Sequence, residues 1–188
     1  ESGHCVEVMM LADRGDLTAD AATNYDRLPA RIDLLHPPQK HWLGALKPLL
    51  QDAAVVVDAI FGTGITPPLR DPFIELIAAV NDSGVPTVAL DIPSGVSGDD
   101  GLVDPVALAA DLTITVGMPK RGLLLAPGRD FVGDLEVVDI GFPEDICLKN
   151  SPNHHWLSSH DYLSLLPPRP THGHKYNFGR VTVLAGSR

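Results

Sequence analysis

The stretch that decides the fold is VVVDAIFGTG, Val55–Gly64, where three β-branched residues run into an aspartate and then dissolve into glycines. A second stretch, VALDIPSG, Val88–Gly95, repeats the event: a core strand reaches Asp91 and breaks on Pro-Ser-Gly. Between them lies DPFIELIAAVNDSG, Asp71–Gly84. Here Asp71 can cap a helix, Pro72 suits the first helical position, and Gly84 with Pro86 ends the element. Its apolar residues Ile74, Leu76, Ile77, Ala78, Ala79 and Val80 surround nearly the whole helix, as expected for one wedged between a sheet and further cover. The unit is a strand-helix-strand crossover.

Outward from this unit the pattern repeats. Candidate strands are CVEVMML (5–11), RIDLLH (31–36), AAVVVDAIF (53–61), PTVALDI (86–92), LTITVG (112–117) and DLEVVDIGF (134–142). Short apolar strands alternating with helical or turn-rich segments predict an α/β fold with a mostly parallel sheet covered by helices. From Pro143 the pattern fades into a segment rich in Pro, His, Ser and Asn before one further strand, RVTVLAGS (180–187). A linker followed by the opening of a second domain accounts for this better than a long internal loop.

Composition bounds the function. The 188 residues are 44% hydrophobic, enough for one core, and the formal charge is −10. A nucleic acid or anionic membrane would require a clustered basic surface, so both are excluded as expected partners. Cys5 and Cys147 have no CxxC spacing, which implies neither a disulfide framework nor a thiolate metal site, and a reducing cytoplasm is the expected location. No apolar run approaches a membrane span. The opening ESGHCVEVMML, without an initial methionine, predicts a fragment of a longer protein.

Open parallel sheets bind ligands beyond the C-terminal ends of their strands, where Asp58 and Asp91 both fall. An aspartate there can simply cap a turn. A carboxylate emerging from a hydrophobic strand is costly unless paired or ligated, however, and its repetition favours a shared cation or substrate. GTGITPPLRDP, Gly62–Pro72, offers backbone amides before a helix start, the local means by which an acidic protein holds a phosphate, with Arg70 as an added contact. The alternative is a tight turn requiring positive φ at Gly62 and Gly64. Ser94 supplies hard oxygen donors suited to Mg²⁺, Ca²⁺ or an alkali ion, and it lacks the GxSxG setting of a nucleophile. His154, His155, His160, His172 and His174 match no zinc spacing. Lys120 either reaches a ligand phosphate or is solvated.

The combination VVVDAIFGTG, DIPSGVSGDDG and ADLTITVGMPKRGLLLAPGRDFVGDLEVVDIGFP resembles the YjeF N-terminal domain, the NAD(P)H-hydrate epimerase family, from Val55 to Pro143. The tail HKYNFGRVTVLAGS resembles the first strand of the ribokinase-like NAD(P)H-hydrate dehydratase domain, with Tyr176 where a glycine is usual. The resemblance implies a Rossmann-like three-layer sandwich over 1–149, a linker over 150–170, and the start of the ribokinase-like domain over 171–188. It implies epimerisation of R and S hydrates of NADH and NADPH, joined in the intact chain to ADP- or ATP-dependent dehydration.

Residue by residue, the resemblance implies that Asp58 and Ser94 bind K⁺ and that Gly62, Thr63, Gly64, Ile65, Thr66, Pro67, Pro68 and Asp91 contact the hydrated dinucleotide. Epimerisation needs a proton donor and acceptor within hydrogen-bond reach of the reacting carbon, for which Asp91 is the candidate. Pro67 and Pro68 depart from the family's usual loop. The family's NNGGD loop does not occur in the sequence, so the fragment by itself is expected to be inactive. The expected partner is a small molecule, and self-association is left open. A non-catalytic nucleotide- or protein-binding module is the alternative. A dehydrogenase is disfavoured, because no GxGxxG is followed by a ribose-binding acid.

Overall fold

In a computed structural model, the structure describes residues 5–29, 32–64 and 68–143, and beyond them 145, 156–157, 161–163, 171–173, 182–184 and 186. The chain divides into two compact units, Glu1–Phe142 and Pro143–Arg188. In the second unit residues 161–163 are helical, and residues 182–184 of the expected strand lie exposed outside any strand. Gly186 of that expected strand is likewise exposed outside any strand, and residues 180, 181, 185 and 187 lie outside the described residues, as do His154, His155, His160, His174 and Cys147.

The first unit contains all six expected strands, each shorter than its apolar run. They are β1 (Glu7–Met9), β2 (Asp33–Leu35), β3 (Val56–Asp58), β4 (Thr87–Leu90), β5 (Leu112–Val116) and β6 (Asp134–Val138). Every pairing between these strands is parallel, as the crossover pattern required. The strands form two sheets: β1 pairs with β2, and β3-β4-β5-β6 form a four-stranded sheet in that order. One edge of that sheet is β3, where Val57 keeps 56% of its surface exposed.

Among the described residues of this unit, three α-helices accompany the strands: α1 (Ala19–Asp26), α2 (Trp42–Asp52) and α3 (Phe73–Ser83). The expected crossover helix is α3, and its start needs a correction. Pro72 occupies the N-cap position with no side-chain cap, so Asp71 does not cap and the helix begins one residue later. Gly84 ends it in the left-handed conformation (φ 69°), which glycine adopts without strain. Leu76, Ile77 and Val80 are buried, and Ile77 and Val80 join Leu50 of α2, Ala89 of β4, Leu69, Leu108 and Ala110 in one core cluster. A second cluster, Ile92, Val96, Ala107, Leu123 and Val132, gathers residues from the loops after β4 and β5. Its neighbourhood holds two short 3-10 turns, Arg121–Leu123 and Gly128–Phe131, in a proline- and glycine-rich segment unsuited to an α-helix.

Two β5 threonines interrupt the apolar alternation. Thr113 and Thr115 are buried, and the hydroxyl of Thr113 donates to the Val132 carbonyl at 2.7 Å. A buried hydroxyl is tolerated when it is hydrogen-bonded. Thr115 meets that requirement at the sheet end.

Candidate active site

Adjacent parallel strands β3 and β4 finish at the same end of the sheet, with Asp58 closing β3 opposite Ala89 and Asp91 immediately following Leu90. Asp58 is 2% exposed and Ser94, which arrives on the turn after β4, is 1% exposed. The Ser94 N–H donates to Oδ2 of Asp58 at 2.8 Å, and its hydroxyl donates to Oδ1 at 2.7 Å. The Ile60 N–H reaches Oδ1 at 3.2 Å, while the Phe61 N–H donates to the Ser94 hydroxyl at 3.2 Å.

The Pro-Ser-Gly sequence explains how Ser94 reaches this depth. Gly95 has φ 100°, and a Cβ there would lie 2.3 Å from the Val106 carbonyl oxygen. Only glycine fits both the conformation and the contact.

Burial pushes the Asp58 carboxyl above its ordinary pKa; the hydrogen bonds from Ser94 and Ile60 work in the opposite direction and only partly offset it. No basic side chain among the described residues forms an ion pair with Asp58. A buried carboxylate beside a serine hydroxyl is a set of hard oxygens with uncompensated negative charge, which fits a hard cation. No group of three or more His, Cys, Asp or Glu placed to share a metal occurs among the described residues.

Asp91 has a different environment. It is the one non-glycine among the described residues with positive φ (70°), and its N–H donates to the Ile114 carbonyl of β5 at 2.8 Å. Its Oδ1 accepts from the Thr115 hydroxyl at 3.0 Å, from the Val116 N–H at 3.3 Å and from the Lys120 ammonium. Its side chain remains 24% exposed, and that of Lys120 20%. Burial raises the Asp91 carboxyl, but the hydrogen bonds from Lys120, Thr115 and Val116 and the Lys120 charge outweigh it, leaving the pKa below the usual value. The pKa values of the two aspartates are thus shifted in opposite directions, and no hydrogen bond joins them.

Lys120 also donates to the Thr115 hydroxyl at 3.1 Å and to the Val116 carbonyl at 3.0 Å. An ammonium has three protons, and these three acceptors account for all of them. The expectation that Lys120 is merely solvated is therefore corrected: it is held on Asp91. Only its place just after β5 hinted at this in the sequence.

Of the expected loop contacts, Gly62, Thr63, Gly64 and Pro68 are described, and Ile65, Thr66 and Pro67 lie outside the described residues. Residues 63–64 do form a turn, but neither Gly62 nor Gly64 has the positive φ that the tight-turn alternative required. Gly62 instead faces Asp91: a Cβ built on it would lie 3.9 Å from Oδ2. Arg70 is exposed, and its carbonyl accepts from the Phe73 N–H at 3.1 Å.

A cavity of about 360 Å³ opens beside the ends of β1 and β2, lined among others by Met10, Asp13, His36, Pro38, Trp42 and Phe73. Ring centroids of Trp42 and Phe73 lie 5.5 Å apart, and those of Phe73 and Phe61 4.7 Å apart. These aromatics lead from the backbone that binds Ser94 to the cavity wall. The sequence reading missed this wall: Met10 and His36 fall inside the expected strands 5–11 and 31–36, but in the structure they come just after β1 and β2.

Residues 1–122 match the family described as YjeF-related protein N-terminus. The chain belongs to that family. Among its relatives, the bifunctional NAD(P)H-hydrate repair enzyme Nnr of Thermofilum pendens is 36% identical, covering 99% of this chain and 35% of the relative. The enzyme of the same name from Moorella thermoacetica is 37% identical, covering 97% of this chain and 34% of the relative. That of Coxiella burnetii is 33% identical, over 99% and 37% respectively. The chain thus spans about a third of the length of these curated relatives. Among solved structures, yeast ynu0 (YNL200c) is similar in fold, with TM-score 0.51 and 24% identity, over 70% of this chain and 53% of that one. The parallel α/β architecture of this chain agrees with the sequence expectation.

Proposed function

We propose that this chain forms the epimerase part of an NAD(P)H-hydrate repair enzyme, interconverting the R and S hydrates of NADH and NADPH. The observation that carries the proposal is Asp91: an ionised carboxylate in a left-handed turn at the sheet end, facing the glycine loop, in a chain of the YjeF-related family. The relatives' names supply the substrate class.

The carbon to be inverted carries a hydroxyl and adjoins the ring nitrogen. Asp91 takes the hydroxyl proton as the C–N bond opens, with the electron pair passing to nitrogen and the carbon becoming an aldehyde. Closure of nitrogen on the other face restores the bond, and the proton returns to oxygen. An acid/base group must lie within hydrogen-bond reach of that proton, and a carboxylate kept ionised is the form that accepts it. Gly62, Thr63, Gly64 and the rest of the loop through Pro68 would hold the dinucleotide near Asp91. Asp58 and Ser94 would hold potassium, which supplies a fixed positive charge where two loops meet. In the bifunctional relatives the S hydrate would pass to an ADP- or ATP-dependent dehydration.

The test is chromatographic. The protein as its gene encodes it, given the pure R hydrate in potassium buffer, is expected to yield the S form without ADP or ATP. Binding of NADP or hydrate without conversion would instead support a non-catalytic binding module.

A further inference from the structure

We infer that Lys120 and Thr115 are positioning residues that commit Oδ1 of Asp91 to the protein and reserve Oδ2, the oxygen facing Gly62, for the substrate. This rests on the proposed epimerase reading and names residues beyond it. All the hydrogen bonds to the Asp91 carboxylate among the described residues converge on Oδ1. Oδ2 receives none of them and lies 3.9 Å from where a Gly62 Cβ would stand. Two oxygens of one carboxylate therefore have separate tasks.

The surrounding structure accounts for the asymmetry. From the β5 side Asp91 meets Thr115, Val116 and Lys120; from the β3 side it meets Gly62. Lys120 is the one charged group hydrogen-bonded to it among the described residues. A residue with positive φ persists only where its surroundings over-determine it, and the Asp91 N–H bond to Ile114 places the backbone on the strand that also supplies Thr115. Lys120 is fully engaged by Asp91, Thr115 and the Val116 carbonyl, so it acts through Asp91 and does not bind substrate. Its charge favours the ionised carboxylate, and Thr115 fixes the rotation that presents Oδ2.

The experiment compares Lys120→Met, Thr115→Val and Thr115→Ser in the protein as its gene encodes it, measuring R-to-S conversion against pH and the Asp91 carboxyl titration by ¹³C NMR. Lys120→Met and Thr115→Val are expected to move the acid limb and the NMR titration to higher pH. They should lower kcat about tenfold or more, with KM within about twofold. Thr115→Ser, which keeps the hydroxyl, restores the profile. Conversion with an unmoved acid limb and titration, or a loss confined to KM, would overturn the inference while leaving the epimerase reading intact. Absence of conversion in the unaltered protein would defeat the epimerase reading itself. If Lys120→Met does not fold, the near-isosteric Thr115 pair decides the matter.

Discussion

Ser94 holds Asp58 through two donors on one residue, its N–H to Oδ2 at 2.8 Å and its hydroxyl to Oδ1 at 2.7 Å, across 36 positions of sequence. The pair fastens the turn after β4 to the end of β3, and with Phe61 donating to the same hydroxyl it also holds the start of the glycine loop. The geometry that could seat a cation is therefore also what orders the two loops around Asp91.

Ser94→Ala removes the hydroxyl bond to Asp58 and leaves the Phe61 N–H without its acceptor. A hydrogen bond to a charged group contributes about 1.5–3 kcal/mol and an unsatisfied buried donor costs about 1–3 kcal/mol. With the backbone bond from Ser94 retained, the expected loss is about 2 kcal/mol in urea unfolding at unchanged m. A loss below about 0.5 kcal/mol, the scale of a neutral surface change, would contradict the pairing.

The two aspartates give opposite pH signatures. The folded pKa of Asp91 is lowered, so its contribution is present above the unfolded carboxylate pKa and is lost as pH falls through the folded value. The folded pKa of Asp58 is raised, so its contribution is present below the unfolded pKa and is lost as pH rises through the folded value. Urea unfolding from about pH 3 to about pH 7 checks both. The stability difference between the unaltered protein and Asp91→Asn should grow with pH, and that against Asp58→Asn, without added potassium, should shrink. Parallel slopes would contradict the two environments.

The strands were legible because β-branched runs ending in glycine, proline or aspartate leave little choice of conformation, and α3 because its apolar residues crowd one short segment. Helix α2 escaped notice: Gly44 and Pro48 dilute its helical signal, and its burial through Trp42 and Leu50 depends on tertiary packing. The shared edge of Asp58 and Asp91 was readable from strand order. Their partners were not, since a hydrogen bond across 36 residues or a lysine folding back onto Asp91 leaves no periodic trace. The loop glycines invited a search for positive φ, yet that conformation belongs to Asp91.

Potassium should stabilise the folded protein if Asp58 and Ser94 seat it. A ligand at about 100 times its Kd raises stability by about 2.7 kcal/mol. The unfolding midpoint in potassium chloride is therefore expected to exceed that in tetramethylammonium chloride at equal ionic strength, and Asp58→Asn should abolish the difference. Equal midpoints for the unaltered protein would remove the cation from the account.

Gly62→Ala separates space from stability. Its φ lies outside the left-handed region, and the added Cβ would meet Asp91 Oδ2 at an ordinary contact distance, 3.9 Å. The melting temperature should hold or rise slightly, since Ala in a compatible conformation stabilises by about 0.4–1 kcal/mol. The methyl group narrows the approach to Oδ2, and kcat/KM should fall about tenfold, or about 1.4 kcal/mol. Unchanged kcat/KM would place the substrate elsewhere.

The most direct measurement is the rate of R-to-S conversion by the protein as its gene encodes it, beside that of Asp91→Asn, in potassium buffer at neutral pH. Loss of a general base typically costs about 10²- to 10⁴-fold, and a drop in that range with the fold intact by circular dichroism is the predicted result. A variant that turns over like the unaltered protein would contradict it and remove Asp91 from the chemistry.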